Sequence, residues 1–435
     1  MITKLLKTLP LLSLCLCAEE EILNQNNNYI LFSEKTQTQC SISFDSILNE
    51  GLGSHPSISM SQKMIEGAEY SEDSAFWGYF PSPSVDVSFK SADEKQTTMR
   101  LDQPIWTGGK LDAAYDKAKA EKNEAKNGYD ENQYKLIDTY LSSLKEYLLS
   151  QEKIKVLNQN KLQFMELREM LERMMKAGVL SQTDKDLLNS RIATLYADLV
   201  VTKAKFRIAK VQFEILTGRV LECDIKFDYK KILNETTPIE NYIGELLETH
   251  PSLKIMDAKI RSAISDVGAS KSTLWPSLVL RAEHRSGTIY DETEPESEDI
   301  VYMALNISTG GGLSALSNIN KAKINVSKVK YEKLNKEKEL IDQLMKDYTN
   351  YITVNAQKKI VYGNIKTQTK LYESNKRLFL SQQKKWLDVV NTLSELNKQK
   401  ISYANLHEES KILEYKIALK TGKISLTTGE VVDDL

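Results

Sequence analysis

The chain carries one ordered pattern twice. His55-Pro56-Ser57 recurs as His250-Pro251-Ser252, and an aromatic-Pro-Ser step follows each at the same interval, as Phe80-Pro81-Ser82 and Trp275-Pro276-Ser277. Thr107-Gly108-Gly109 then matches Thr309-Gly310-Gly311, Asp184 matches Asp388, and Thr217-Gly218-Arg219 matches Thr421-Gly422-Lys423. The repeated unit is roughly two hundred residues, far longer than the repeat periods of solenoids. A length of 435 residues would by itself allow two or three domains, and the duplication selects two similar halves. The expected division is 55–218 for the first repeat, 219–249 for an inter-repeat equatorial linker, 250–422 for the second repeat and 423–435 for a C-terminal tail.

Before the first repeat, residues 1–18 carry Lys4 and Lys7, an apolar run from Leu9 through Cys17, and Ala18 ahead of acidic residues, the layout of a cleaved secretory signal. Leu14 precedes Cys15 and Leu16 precedes Cys17, where an acylated cysteine would need a small neighbour. Residues 19–54 are polar and asparagine-rich and read as a poorly regular lead-in, ending in a short amphipathic stretch around Ile47-Leu48 and Leu52. Cys40 and Cys223 remain after cleavage; an oxidising compartment would let them pair, and separate burial fits the sequence equally well. With 58 Lys plus Arg against 60 Asp plus Glu, the chain has no basic footprint for nucleic acid.

Apolar residues at three- and four-residue steps predict long helices: Leu136/Ile137, Tyr140/Leu141, Leu144 and Tyr147/Leu148 in one half, and Leu340/Ile341, Leu344, Tyr348 and Tyr351/Ile352 in the other. The expected helices are 56–77, 109–176 and 181–217, then 251–274, 311–380 and 386–420. The longest would span about 100 Å, and two shorter ones stacked end to end could run alongside each long one. Strict alternation predicts strands at 82–90, 97–106, 277–286 and 300–308; Val85, Val87 and Phe89, for example, alternate with Ser84, Asp86 and Ser88. No apolar run beyond the signal approaches the ~20 residues of a spanning helix, whereas each predicted strand is near the ~9–11 residues of a tilted membrane strand. Trp77, Trp106 and Trp275 fall at the helix-side ends of these strands, where an interfacial aromatic girdle would lie or where a helix–strand junction would simply be packed.

Four strands cannot close a barrel, and an open edge in hydrocarbon leaves unpaired backbone groups at several kcal/mol each. Closure would have to come from other copies of the chain. Two copies would make a barrel filled by its own side chains, whereas three would leave a lumen, which suits the polar inward set Ser84, Asp86, Ser88 and Lys90.

Taken together, these doubled landmarks resemble the TolC-like outer-membrane efflux proteins, from about residue 42 to 424. The resemblance implies a homotrimer with a twelve-stranded β-barrel in outer-membrane lipid and a long α-helical barrel in the periplasm. It implies an exit duct of a tripartite efflux or type I secretion system, with a periplasmic adaptor and an inner-membrane RND or ABC transporter as partners. The first tip would be Lys176 to Ser181, with Gly178, leading to Asp184; the second would run from Phe379 through Gln382 and Lys384 to Asp388. Asp388 falls where the family rings its periplasmic entrance with carboxylates that repel one another and attract cations. The same position suits an ordinary carboxylate at a helix N-terminus. Asn391 replaces a second acidic residue one turn later, and Gln382 stands where the first copy has Gly178.

Gly108-Gly109 and Gly310-Gly311 lack the lysine and serine of a phosphate loop and read as strand-to-helix turns. The acidic run Asp291 to Asp299 reads as an external loop. Four histidines at boundaries or on helices, with no nucleophile–base spacing, argue against an enzyme, and no cofactor or metal is expected. The competing reading is a periplasmic coiled-coil adaptor or scaffold without a channel.

Overall fold

The computed structural model describes residues 40–89, 95–218, 220–233, 237–287, 297–307 and 314–426. The expected signal at 1–18, the lead-in up to residue 39, Lys90, Gly310 and Gly311, the acidic positions 291–296 and the tail from 427 lie outside them. In chain order the elements are β1 (Ser41–Ser43), α1 (Phe44–Ser54), α2 (Pro56–Trp77), β2 (Ser82–Phe89), β3 (Lys95–Trp106), α3 (Lys110–Lys176) and α4 (Gln182–Thr217). They continue with β4 (Asp224–Lys226), α5 (Ile239–Thr249), α6 (Pro251–Ser272), β5 (Ser277–Gly287), β6 (Ser297–Asn306), α7 (Ser314–Leu380) and α8 (Trp386–Lys420).

The duplication reappears as matched lengths: α2 and α6 have 22 residues each, α3 and α7 have 67 each, and α4 and α8 have 36 and 35. The doubled motifs are the punctuation of these elements. His55 and His250 are N-caps whose Nδ1 accepts the backbone N–H of Ser57 and of Ser252, each at 3.2 Å, with proline at the first helical position. Gly218 and Gly422 take the left-handed conformation that ends a helix, at φ 71° and 75°.

Helix α3 packs against α2 and α4 along one side and against α6 and α8 along the other, while α7 packs against α6 and α8. One edge of the bundle is therefore α2 and α4, and the opposite edge is α7. Midway along it, Phe44, Ile47 and Leu48 of α1 bury against Tyr140, Leu144 and Tyr147 of α3 and Phe213 of α4. A second core lies at the tips, around Leu167, Leu188, Trp386, Val389 and Leu393.

One expectation needs correction here, and one open alternative is decided. Residues 41–54 are regular rather than a loose lead-in: β1 pairs in parallel with β4, and the apolar face of α1 is buried in the mid-bundle core. Cys40 and Cys223 are disulfide-bonded across that β1–β4 pair, a proximity that 183 residues of separation conceal in the sequence. Glu414 of α8, buried, accepts the backbone N–H groups of Ile232 and Leu233, both at 2.7 Å, and the Tyr229 hydroxyl. The stretch after β4 is thereby fixed to the second repeat.

Candidate functional site at the sheet and the helical tips

The strands β2, β3, β5 and β6 form one antiparallel sheet in the order β2-β3-β5-β6. Residues opposite one another in an antiparallel pair share a face. The register sets Val85 opposite Met99, Leu101 opposite Ala282, Leu280 opposite Met303 and Ala282 opposite Val301, so one face is apolar across all four strands. It is also uncovered: Val85 is 61 % exposed, Met303 68 % and Val301 70 %. The other face carries Ser84, Asp86, Ser88, Arg100, Asp102, Arg281, Glu283, Arg285 and Tyr302. Among the described residues, no helix is long and apolar enough to cross a membrane.

At the helix-side end of the sheet, the Trp106 and Trp275 rings meet edge-on at 6.2 Å, and Trp77 lies 5.0 Å from the Phe80 ring. Gly108 and Gly109 turn the chain out of β3 at φ 63° and 85°. A Cβ on Gly108 would lie 2.6 Å from Trp275 Cβ, so this glycine serves both the turn and the close approach of the two repeats. At the far end, β6 begins at Ser297, so Glu298 and Asp299 belong to a strand and not to the expected acidic loop. His284 likewise lies in β5, not at a boundary or on a helix, with its Nδ1 2.6 Å from Asp299 Oδ1.

The tips combine residues from both halves. Gly178 follows α3 at φ 74° and Gln382 follows α7 at φ 61°, so the two tips use the same left-handed turn. Asp184 is occupied as the acidic half of a capping box: its carboxylate accepts the Ser181 backbone N–H at 3.0 Å and the Ser181 hydroxyl at 2.7 Å. Asp388 stands in the first turn of α8, half-buried, and among the described residues no hydrogen-bond or ion-pair partner meets its carboxylate. Trp386, buried, packs at a tilt against the Phe379 ring at 5.3 Å and donates its indole N–H to the Asp184 carbonyl at 3.3 Å, tying the two tips together. Arg191 donates to Asn391 Oδ1 at 3.4 Å, whereas Lys384 and Gln382 are exposed. Sequence reading overlooked Trp386; its signal was a lone tryptophan ahead of an apolar run in a segment otherwise polar.

No sequence-family model matches the chain, and neither does any curated protein. Solved structures do match. The outer-membrane channel OprN superposes with a TM-score of 0.76 at 14 % identity, over 87 % of this chain and 89 % of that one. The fold is TolC-like. CusC, described for its transmembrane channel formation, gives a TM-score of 0.74 at 12 % identity over 92 % and 95 % of the two chains. The outer-membrane protein VceC of Vibrio cholerae gives 0.74 at 13 % identity over 87 % and 96 %. Each match takes in most of both chains.

Proposed function

We propose that this chain is the outer-membrane exit duct of a tripartite efflux or type I secretion system, conducting cargo passively from periplasm to exterior. The observation that carries the reading is the sheet: an exposed apolar face, a charged opposite face, and two edge strands, β2 and β6, whose outer edges are unpaired among the described residues. Such a sheet is stable in hydrocarbon only when closed. The helices offer the same solution, because apolar residues stand uncovered on both outer edges: Val200 (66 % exposed) and Ile215 (74 %) on α4, Ile324 (69 %) and Ile360 (64 %) on α7. α2 leads into β2, and β6 leads into α7, so one head-to-tail contact would bury both kinds of edge and close into a ring. Three copies of four strands make a twelve-stranded barrel with a lumen.

In this reading the apolar face meets outer-membrane lipid, and Trp77, Trp106 and Trp275 form the interfacial girdle. The helical barrel lies in the periplasm, and its tips receive a periplasmic adaptor and an inner-membrane transporter of the RND or ABC type. Asp388 from three copies rings the entrance, since its carboxylate is not used for capping, while Asp184 serves its own helix. In this role the chain is a passive conduit and not an enzyme. Conductance of detergent-extracted protein in a planar bilayer, with its oligomeric mass measured in parallel, tests the reading: small cation-selective steps from a trimer are expected, and a non-conducting monomer would leave the scaffold alternative. Asp388→Ala should weaken block by divalent cations, and unchanged block removes it from the gate.

A further inference from the structure

Between the tip core and the cores above it, the long helices α3, α4, α7 and α8 share a break in their apolar packing. Buried apolar side chains stop at Leu148 on α3 and resume at Leu157; on α4 the break runs from Leu199 to Ala209, on α7 from Val354 to Tyr372, and on α8 from Leu396 to Ile412. Counted from the tip end of each helix, the four breaks overlap about 20–25 residues up, roughly 30–38 Å at 1.5 Å per residue. The buried positions within the breaks or at their margins are polar: Ser150 and Asn160 on α3, Thr202 on α4, and Asn397, Glu408 and Ser410 on α8.

Below the break the tip is one body, because Leu167 of α3, Leu188 of α4, Phe379 of α7 and Leu393 of α8 belong to a single core. Around the break the helices meet through polar contacts: Ser410 donates to Asn355 Oδ1 at 2.8 Å, and Lys400 donates to Gln163 Oε1 at 3.4 Å. The amides at its margins are not paired. The oxygen and the nitrogen of both Asn160 and Asn397, residues 1 % and 5 % exposed, are shut from solvent without a hydrogen-bond partner among the described residues, and Nδ1 of His407, within the α8 break, is likewise unpaired. A buried polar group left unpaired costs free energy that contact with water removes.

We propose that this polar waist is a joint, at which the tip body of each copy pivots as a unit against the cores above. When straight, the waist holds its enclosed amides unpaired; when bent, it admits water to Asn160 and Asn397, so that bending costs less than it would in an apolar seam. Few buried apolar contacts span the waist to resist the motion. Trp386, bonded to Asp184 inside the tip core, travels with both tips and keeps them together. The proposal rests on the exit-duct reading, within which the pivot widens the periplasmic entrance.

Hydrogen exchange of the detergent-extracted protein, read by mass spectrometry, tests the joint. Residues 149–156 and 398–411 should exchange about tenfold or more faster than 136–148 and 412–419 above them and than 390–396 below. Asn160→Leu combined with Asn397→Leu replaces the unpaired amides by apolar groups of similar size and should slow exchange in the waist by about tenfold, leaving 412–419 unmoved. In a planar bilayer the same double variant should open less often than wild type. Protection that runs evenly through the waist would overturn the proposal, as would a double variant that opens as often as wild type although its waist is protected. If the double variant does not assemble, the wild-type exchange profile and Asn397→Leu alone decide. A wild-type protein that never conducts while its waist exchanges fast would overturn the duct reading and leave the joint in place, a result distinct from a conducting channel with an evenly protected waist.

Discussion

At the first tip, Gly178 makes the left-handed turn at φ 74° and Ser181 caps α4 reciprocally with Asp184; at the second, Gln382 makes the same turn at φ 61° and Lys385 stands at the cap with no side-chain hydrogen bond. A left-handed residue other than glycine costs about 1–2 kcal/mol, and a missing cap about 1 kcal/mol. The second tip is offset by packing, since Trp386 is buried against Phe379 and reaches Asp184. Duplication preserved the backbone path and let the means of holding it diverge. The first tip is secured by local hydrogen bonds and the second by one aromatic side chain, and among the described residues only the second tip's acidic residue lacks a hydrogen-bond or ion-pair partner.

The largest expected effect in this contrast is at Trp386. Trp386→Ala removes a side chain 2 % exposed and should cost about 3–5 kcal/mol, read as early proteolysis at residues 376–388. If both tips loosen equally, the indole bond to Asp184 couples them; if only the second does, the first stands on its caps.

The other doubled motif differs in burial. His250 is 3 % exposed and packs edge-on to Tyr134 at 4.7 Å, whereas His55 is half-buried. Burial, opposed by Glu131 and aided by Lys336 and Lys420, lowers the His250 pKa to about 4. The unfolded chain, with histidine near ~6.5, then binds more protons than the folded chain between those values. This stability is fully present above about pH 6.5 and is lost as pH falls toward 4, a loss on the order of 3 kcal/mol. Denaturant midpoints between pH 7 and 4 check it: His250→Asn should flatten the profile, and a profile equally steep in that variant would assign the pH dependence elsewhere.

Smaller effects complete the comparison. Ser181→Ala should destabilise the first tip by about 1 kcal/mol, by urea unfolding or local hydrogen exchange. Gln382→Gly should stabilise the second by roughly 0.5–1 kcal/mol, because the turn is already left-handed, and a loss instead would mean the Gln382 side chain contributes a contact.

Much of the fold was legible because regular elements repeat their chemistry. Alternation marked the strand around Val85, Val87 and Phe89, and three- and four-residue steps marked the helix through Tyr140, Leu144 and Tyr147. Boundaries were less legible: β6 begins at Ser297 and α6 stops at Ser272, both away from the predicted positions. A polar residue such as Glu298 extends a strand by hydrogen bonding to β5 without altering the apolar pattern. The lead-in misled because α1 is stabilised by burial against α3 and α4, distant in sequence. At the tips, the correspondence of Gln382 with Gly178 was readable and has its physical meaning in a shared φ. That Asp184 is consumed in a cap while Asp388 is not depends on hydrogen bonds formed only once the helix starts are in place.

The sequence by itself determined the duplicated plan, the periods of its helices and strands, and the stops and starts between them. These are local properties: side-chain periodicity and capping chemistry. Only the tertiary structure decided that Cys40 meets Cys223 and that Glu414 anchors the segment after β4. Each of these is a contact between residues far apart in the chain, set by strand register or helix packing, and no spacing along the sequence encodes it.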